Sequence, residues 1–453
     1  MQVTETARDG LKRTLQVVVG QAELNERFSE RLDEMKDRVQ IKGFRKGKVP
    51  VAHLKKLYGK SLMQEVMEQT LNDTSVKVIK DRNERPAAQP KVELVGNDDR
   101  GAFERIVNGE ADLAYEMSFE VLPPIEVTDL KALKLEKLVT DVEDSAVEKA
   151  LNDLADRNTA YESEEGRVAG EGDLVTMDFV GRIDGEAFEG GSGEGASLVI
   201  GKKQFIPGFE EGITGLKAGD EKVVEATFPE DYPMPTLAGK TAQFDVSVKA
   251  VALPKKPEID EDFAKGLGAE SLDQLKGFVS EQIKREYDQA SRAKLKREIL
   301  DALDKAHTFE LPPSLVDFEF NNIWTQLENN LKAANKTIAD EDKSEDELKA
   351  EYRGIAERRV RLGLVIGEIG EKNKLQVAED EMRRALVEQA RRYPGREKQV
   401  YEYYEKTPGA LAELRAPLFE DKVIDYVISE AAPIEKKVSR DDLLKAVEEA
   451  TGA

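Results

Sequence analysis

Glycine is spread so unevenly along this chain that one fold class cannot account for the whole of it. Residues 161–250 hold 15 of the 33 glycines. Between those glycines lie Leu174–Val180 (LVTMDFV), Glu221–Phe228 (EKVVEATF) and Ala242–Val251 (AQFDVSVKAV), whose apolar residues alternate as in half-buried strands. Asp184-Gly185 and Ala218-Gly219-Asp220 read as the turns between them. A compact antiparallel sheet is expected here. From Leu253 the character reverses, and Leu272–Ala306 runs 35 residues with few helix breakers. Pro312-Pro313 opens a helix over Ser314–Asn335, and Ser344-x-x-Glu347 is a capping-box signature for the next. Glu379–Tyr393 and Ala410–Glu430 add two more, the last expected to kink at Pro417. No period of 20–50 residues recurs, so a solenoid is disfavoured.

The opening zone, to about Ser118, mixes both patterns. Leu11–Val19 reads as a strand stopped by Gly20. Ala22–Gln40 carries Leu24, Phe28, Leu32, Met35 and Val39 at helical spacing. Pro50 suits the first turn of a second helix through Leu54, Leu57, Leu62 and Val66. Lys91–Leu94 and Tyr115–Val121 are expected to pair with the first strand. Pro123-Pro124 then breaks the pattern, and an extended linker leads into a helix at Asp144–Leu154. The fold class is therefore multidomain α+β. Its parts are an α+β head (1–118), an extended and helical linker (119–160), an antiparallel sheet domain (161–252) and an elongated all-helical C-terminal region with arms and a tail (253–453). At the end, Ser439–Thr451 reads as a short amphipathic helix after the charged spacer Ile434–Val438.

Several kinds of chemistry are excluded early. The chain has no Cys, so thiolate nucleophiles, disulfides and zinc–sulfur sites are absent. Its two His, His53 and His307, are far apart, which argues against a catalytic triad or a His-based metal site. No P-loop is present, and no cofactor or metal is expected. Met1–Gly20 lacks the apolar core of a signal peptide, and no run approaches 18 uncharged apolar residues. A soluble, cytoplasmic protein with no membrane partner is the expectation.

With a net charge of −23, any contact with nucleic acid requires a local cationic patch. Ile41–Lys60 (IKGFRKGKVPVAHLKKLYGK) is one: Lys42, Arg45, Lys46, Lys48, Lys55, Lys56 and Lys60 with no acid. Phe44 sits among the cations, between the turn-forming Gly43 and Gly47. An apolar anchor set among cations suits a mixed protein–RNA surface. A solvated turn between helices would read the same way.

Gly43-Phe44-Arg45-Lys46-Gly47-Lys48-Val49-Pro50 resembles the ribosome-docking signature of the trigger-factor family, and the order of zones matches that family along nearly the whole chain, apart from the tail after about Ala432. The resemblance implies an ATP-independent chaperone docked at the exit tunnel, on a large-subunit protein and adjoining rRNA. Gly43, Phe44, Arg45, Lys46, Gly47, Lys48 and Pro50 carry that contact by position. It also implies nascent and unfolded polypeptides as partners, allows a weak homodimer off the ribosome, and suggests links to protein export and cell division.

Gln204-Phe205-Ile206-Pro207-Gly208-Phe209-Glu210-Glu211-Gly212, followed by Gly215-Leu216-Lys217-Ala218-Gly219-Asp220, is similar to FKBP-type prolyl isomerases. That similarity places Ile206 and Phe209 at the base of a pocket, Phe179 and Phe188 on its wall, and Tyr232 and Phe244 closing it. Where Trp, Asp and Tyr are usual, this chain has Phe209, Glu189 and Phe179. Aromatic walls remain, so isomerisation is expected, whereas tight macrolide binding is not implied. Asp178 and Glu189 read as structural turn residues. In the helical region, Leu311, Leu315, Phe318, Phe320, Ile323, Trp324, Leu362, Leu364, Val365, Ile366 and Ile369 are expected to be mostly interhelix core, with a remainder facing clients. Two other readings stay open: a free isomerase that never meets the ribosome, and an interaction protein whose FKBP-like domain is inactive.

Overall fold

The computed structural model describes residues 1–39, 44, 48–95, 100–230, 232–234 and 236–451. The chain forms two compact units, neither of them continuous. One holds Met1–Lys137 and Lys294–Glu435; the other holds Leu138–Ala293 and Lys436–Ala453.

The head begins with β1 (Gln2–Asp9), β2 (Lys12–Val19), α1 (Gln21–Arg38), α2 (Val51–Arg82), β3 (Lys91–Leu94), α3 (Arg100–Val107) and β4 (Leu113–Glu120). The sheet order is β1-β2-β4-β3. Alternation sets its core face: Leu15, Val17 and Val19 of β2 are buried with Leu113, Tyr115 and Met117 of β4. The Tyr115 hydroxyl lies 2.7 Å from that of Thr74 on α2, which satisfies it in the core. β1 gave no sequence signal because every residue of QVTETARD is exposed. Its pairing with β2, from Gln2↔Val18 to Asp9↔Lys12, is what makes it a strand. β3 pairs with β4 and not, as expected, with β2, whose two edges are taken by β1 and β4. Pro50 caps α2 from just outside its first turn. Leu24, Phe28 and Leu32 of α1 pack with Leu54, Leu62 and Val66 of α2.

Next come β5 (Glu136–Val139), α4 (Asp144–Arg157), β6 (Ala160–Ser163), β7 (Leu174–Ile183), β8 (Glu186–Val199), α5 (Phe209–Ile213), β9 (Glu221–Thr227) and β10 (Thr241–Lys255). β10 is the spine of this sheet, pairing antiparallel with β6, β7 and β9, while β8 continues from β7. β8 is a 14-residue strand in EAFEGGSGEGASLV, where the sequence pointed to turns. Two of its glycines, Gly191 and Gly193, have aromatic rings against the backbone, and the other two, Gly190 and Gly195, take a positive φ.

Helices complete the chain: α6 (Glu261–Gly266), α7 (Leu272–Ala306), α8 (Pro313–Ala333), α9 (Glu345–Lys372), α10 (Glu379–Arg391), α11 (Glu397–Lys406) and α12 (Ala410–Ala431), then β11 (Ile434–Lys437) and α13 (Arg440–Thr451). The capping box forms as read: Ser344 Oγ accepts from the Glu347 N–H, and Glu347 Oε2 accepts from the Ser344 N–H at 3.0 Å. Leu295, Ile299 and Leu303 of α7 meet Leu362, Val365, Ile366 and Ile369 of α9 and Val423, Ile424 and Val427 of α12. Ile323 is buried too, whereas Phe318 is 66% exposed. His307 is structural: Nδ1 lies 2.6 Å from the Leu303 carbonyl, and Nε2 accepts from the Thr128 N–H. The charged spacer 434–437 is a strand, because the linker strand β5 offers it a partner.

Candidate active site

The sheet of β7, β8, β9 and β10 closes over α5, and one cavity of about 490 Å³ opens at its edge. Phe179 (β7), Phe188 (β8), Ile206, Phe209, Tyr232 and Phe244 (β10), the six pocket residues expected from sequence, all line it. Four of them, Phe179, Phe188, Phe209 and Phe244, form a chain of ring contacts. Phe209 meets Phe244 edge-on at 5.1 Å, and Phe179 approaches both at 5.9 and 6.1 Å. Phe188 touches Phe244 at 6.2 Å. These edge-to-face geometries fix each ring against the next.

The sequence reading missed two aromatics. Phe205 lies stacked on Phe209 at 5.0 Å, and Phe228 bridges Phe188 and Tyr232 at 5.8 and 4.7 Å. Phe228 ends the alternating run Val224, Ala226, Phe228, so its inward phase was readable; Phe205 belongs to no periodic segment. Phe209 has no exposed surface, while Phe205 and Ile206 are half-buried. Phe209 thus supports the floor that Phe205 and Ile206 present.

Glycine lets those rings lie flat. A Cβ on Gly193 would sit 2.8 Å from the Phe179 ring, and one on Gly191 would sit 2.7 Å from Phe188. Both distances are below real contact, so these positions admit no side chain while the walls stay in place.

The loop carrying Phe205 and Ile206 is held by Glu210, a buried carboxylate. It accepts from the backbone N–H groups of Gly201 (2.8 Å), Lys203 (3.2 Å), Gln204 (2.7 Å) and Phe205 (3.4 Å). Burial pushes its pKa up, but the four N–H donors outweigh burial and hold it below the ordinary carboxylate value. After those donors comes the Ile206 N–H, which has no hydrogen-bond acceptor among the described residues. Asp178 points to the opposite face of β7 from Phe179. The Lys249 ammonium at 2.9 Å and the Gly195 N–H at 2.8 Å keep its carboxyl below the usual range, so it ties strands together. Glu189 is the one charged side chain among the described residues lining the cavity.

The second predicted site lies between α1 and α2. Gly43, Arg45, Lys46 and Gly47 fall outside the described residues. Phe44 is exposed, with its ring 5.3 Å from that of His53. Lys48 and Pro50 are exposed and Val49 between them is buried.

Comparison with known proteins adds sequence relationships to this geometry. Residues 1–154 match the family described as bacterial trigger factor protein, 165–249 the FKBP-type peptidyl-prolyl cis-trans isomerases, and 271–429 the bacterial trigger factor C-terminus. Trigger factor of Afipia carboxidovorans is 49% identical over 454 residues, covering 100% of both chains. Trigger factor of Azorhizobium caulinodans is 50% identical and covers 99% of each, and that of Parvibaculum lavamentivorans is 50% identical across 98% of this chain and 86% of its own. A solved trigger factor chaperone, 22% identical, superposes with a TM-score of 0.57 over 95% of this chain and 100% of its own, a likeness of fold.

Proposed function

The chain belongs to the trigger-factor family and carries that family's FKBP-type prolyl isomerase domain, and from this premise we propose how its parts divide the work. It is a chaperone for nascent and unfolded polypeptides. The head (1–118) docks it on the large ribosomal subunit in the cytoplasm, with Phe44 as the apolar anchor and Arg45, Lys46 and Lys48 meeting rRNA phosphate and an acidic protein surface. Residues 119–160 link the head to the isomerase (161–252), and residues 253–453 hold the client without nucleotide. Among the described residues no helix is long and apolar enough to cross a membrane.

The isomerase needs no acid, base or nucleophile. Rotation about an X-Pro bond faces a barrier of about 18–20 kcal/mol because the planar amide is resonance-stabilised. The twisted transition state has lost that resonance and is less polar. Phe179, Phe188, Phe205, Phe228, Tyr232 and Phe244 enclose the proline ring away from water, which favours the twisted form over the planar one. The Ile206 N–H, unpaired among the described residues, donates to the substrate carbonyl and fixes one end while the other turns. This N–H at the rim of an aromatic cavity is the observation that carries the isomerase mechanism.

Cosedimentation with 70S ribosomes across a salt series tests the docking assignment. The wild type is expected to pellet with ribosomes, less so as salt rises. The Phe44→Ala/Arg45→Ala/Lys46→Ala variant is expected to stay in the supernatant with its proline-peptide isomerisation unchanged. Equal pelleting of the two proteins would remove the loop from the ribosome contact.

A further inference from the structure

The chain has no Cys, so its eight methionines hold all of its sulfur, the atom that a two-electron oxidant such as hydrogen peroxide attacks. Most of them are shielded. Met63, Met67 and Met117 are buried in the head and Met177 in the isomerase core, while Met35 and Met382 are half-buried. Two are exposed: Met1, and Met234 at 43%.

Met234 lies on the loop between β9 and β10, and it lines the aromatic cavity together with Tyr232 and Leu237 of the same loop. That loop is closed by its own backbone. The Pro229 carbonyl accepts from the N–H groups of Tyr232 (3.2 Å) and Gly239 (3.3 Å), and the Met234 carbonyl from those of Leu237 (2.9 Å) and Ala238 (3.2 Å). Leu237 is buried and anchors the turn in the isomerase core. Pro233 and Pro235 flank Met234 in the sequence, and a residue that precedes proline is steered towards extended backbone. The thioether is thus held at the cavity on a hydrogen-bonded loop and stays open to solvent. In that place a flexible, polarizable side chain suits apolar substrates of varied shape. A sulfoxide does not, because its oxygen is a hydrogen-bond acceptor that holds water.

We propose that Met234 is an oxidation site that regulates the isomerase: peroxide converts its thioether to the sulfoxide and lowers turnover, and a methionine sulfoxide reductase restores it. The inference rests on the assignment of this cavity as the isomerase site. In the forward step a sulfur lone pair attacks one peroxide oxygen, and an S–O bond forms as the O–O bond breaks. The hydroxide that leaves takes the proton from the oxygen now on sulfur and departs as water. Sulfur loses two electrons and the peroxide gains them. In the reverse step two reductase thiols supply two electrons and two protons and become a disulfide, and the sulfoxide oxygen leaves as water. Isomerisation depends on keeping water from an amide that becomes less polar as it twists. Water held at the cavity by the sulfoxide oxygen narrows the preference for the twisted form.

The test treats the full-length protein with hydrogen peroxide, maps the added oxygen on each methionine by peptide mass spectrometry, and follows kcat/KM on a proline peptide. Met234 is expected to be oxidised ahead of every methionine except Met1, and kcat/KM to fall about tenfold as its sulfoxide accumulates. The melting profile is expected to stay that of the untreated protein, which separates a change at the cavity from damage to the core at Met177. Incubation with methionine sulfoxide reductases for both sulfoxide epimers, with a dithiol as reductant, is expected to restore turnover. Met234→Leu, measured against its own untreated rate, is expected to keep that rate under the same dose while Met1 is oxidised as before. Unchanged kcat/KM in protein whose Met234 is fully converted to the sulfoxide would overturn the proposal, and so would an equal loss in Met234→Leu. Absence of turnover in the untreated wild type would overturn the isomerase assignment and the proposal with it.

Discussion

Ile206 and Phe209 stand three residues apart, and the sequence gives them one role as pocket base; their burial separates them. Phe209 is fully covered, with Phe205 stacked on it and Phe244 edge-on. Truncating such a ring leaves a cavity that neighbours fill only in part, costing about 3–5 kcal/mol. Phe209→Ala is therefore expected to lower both the melting temperature of the isomerase domain and its activity. Ile206 is half-buried, so Ile206→Ala is expected to keep the melting profile and lose about tenfold in kcat/KM on a proline peptide. Calorimetry beside a rotamase assay separates them, and equal melting losses would dissolve the distinction. Glu210 supplies a pH signature. Its pKa is lowered in the fold, so its contribution is fully present above the unfolded carboxylate value, roughly 4.3, and is lost as pH falls through the lower folded value. Urea midpoints of wild type are expected to fall through that acid range, and those of Glu210→Gln to start lower and vary less. The hydrogen-bond set of Glu210 was not legible beforehand, because all four of its donors are backbone groups whose convergence depends on the loop and not on side-chain identity.

Among the elements, β8 shows where sequence reading stops and why. Alternation in LVTMDFV, EKVVEATF and AQFDVSVKAV was enough to find β7, β9 and β10, since each buries one face in its own sheet. EAFEGGSGEGASLV buries little and is rich in glycine, and both features read as loop. The information that makes it a strand resides in Phe179 and Phe188, whose rings occupy the space a Cβ would need at Gly193 and Gly191. The same logic explains β1, which exists because β2 has a free edge. Helices were easier, since the Leu272–Ala306 span and the Ser344 cap are local properties. Gly193→Ala turns this account into an expectation. Neither Gly193 nor Gly191 has a positive φ, so the backbone accepts a side chain while the ring does not. Displacing Phe179 is expected to cost about 1–3 kcal/mol in overpacking and to reduce kcat/KM several-fold. Far-UV circular dichroism is expected to stay that of wild type. Full activity in Gly193→Ala would show that Phe179 is free to move away from the wall.

At the scale of the molecule, the chain leaves one unit at residue 137, builds the other through 293, returns, and then sends its last 18 residues back to the second. The match to the trigger factor C-terminus family ends at residue 429, before this final excursion, although the Afipia carboxidovorans relative aligns across the whole chain. The tail nevertheless carries a core residue: Leu443 of α13 is fully buried against Leu138 and Tyr287. The Val438 N–H donates to the Val139 carbonyl at 3.0 Å, and Lys437 pairs with Asp141. Ser439 caps α13, its Oγ 3.2 Å from the Asp442 N–H that donates to it. The sequence announced an amphipathic helix here but not its receptor, because Leu138 and Tyr287 lie more than 150 residues upstream of it in the chain. Ending the chain after Ala432 removes β11 and α13 together and uncovers that apolar surface. A buried leucine lost in this way costs about 2–5 kcal/mol, and the loss falls on the segments it covered. Hydrogen exchange is expected to speed up by two to three orders of magnitude, roughly in line with that energy, at residues 138–142 and 283–291. Exchange in β7 and β10, and turnover of a proline peptide, are expected to match the full chain. Unchanged protection at 138–142 would mean that the tail rests on this unit without stabilising it, and faster exchange throughout β10 would make the tail a part of the isomerase core.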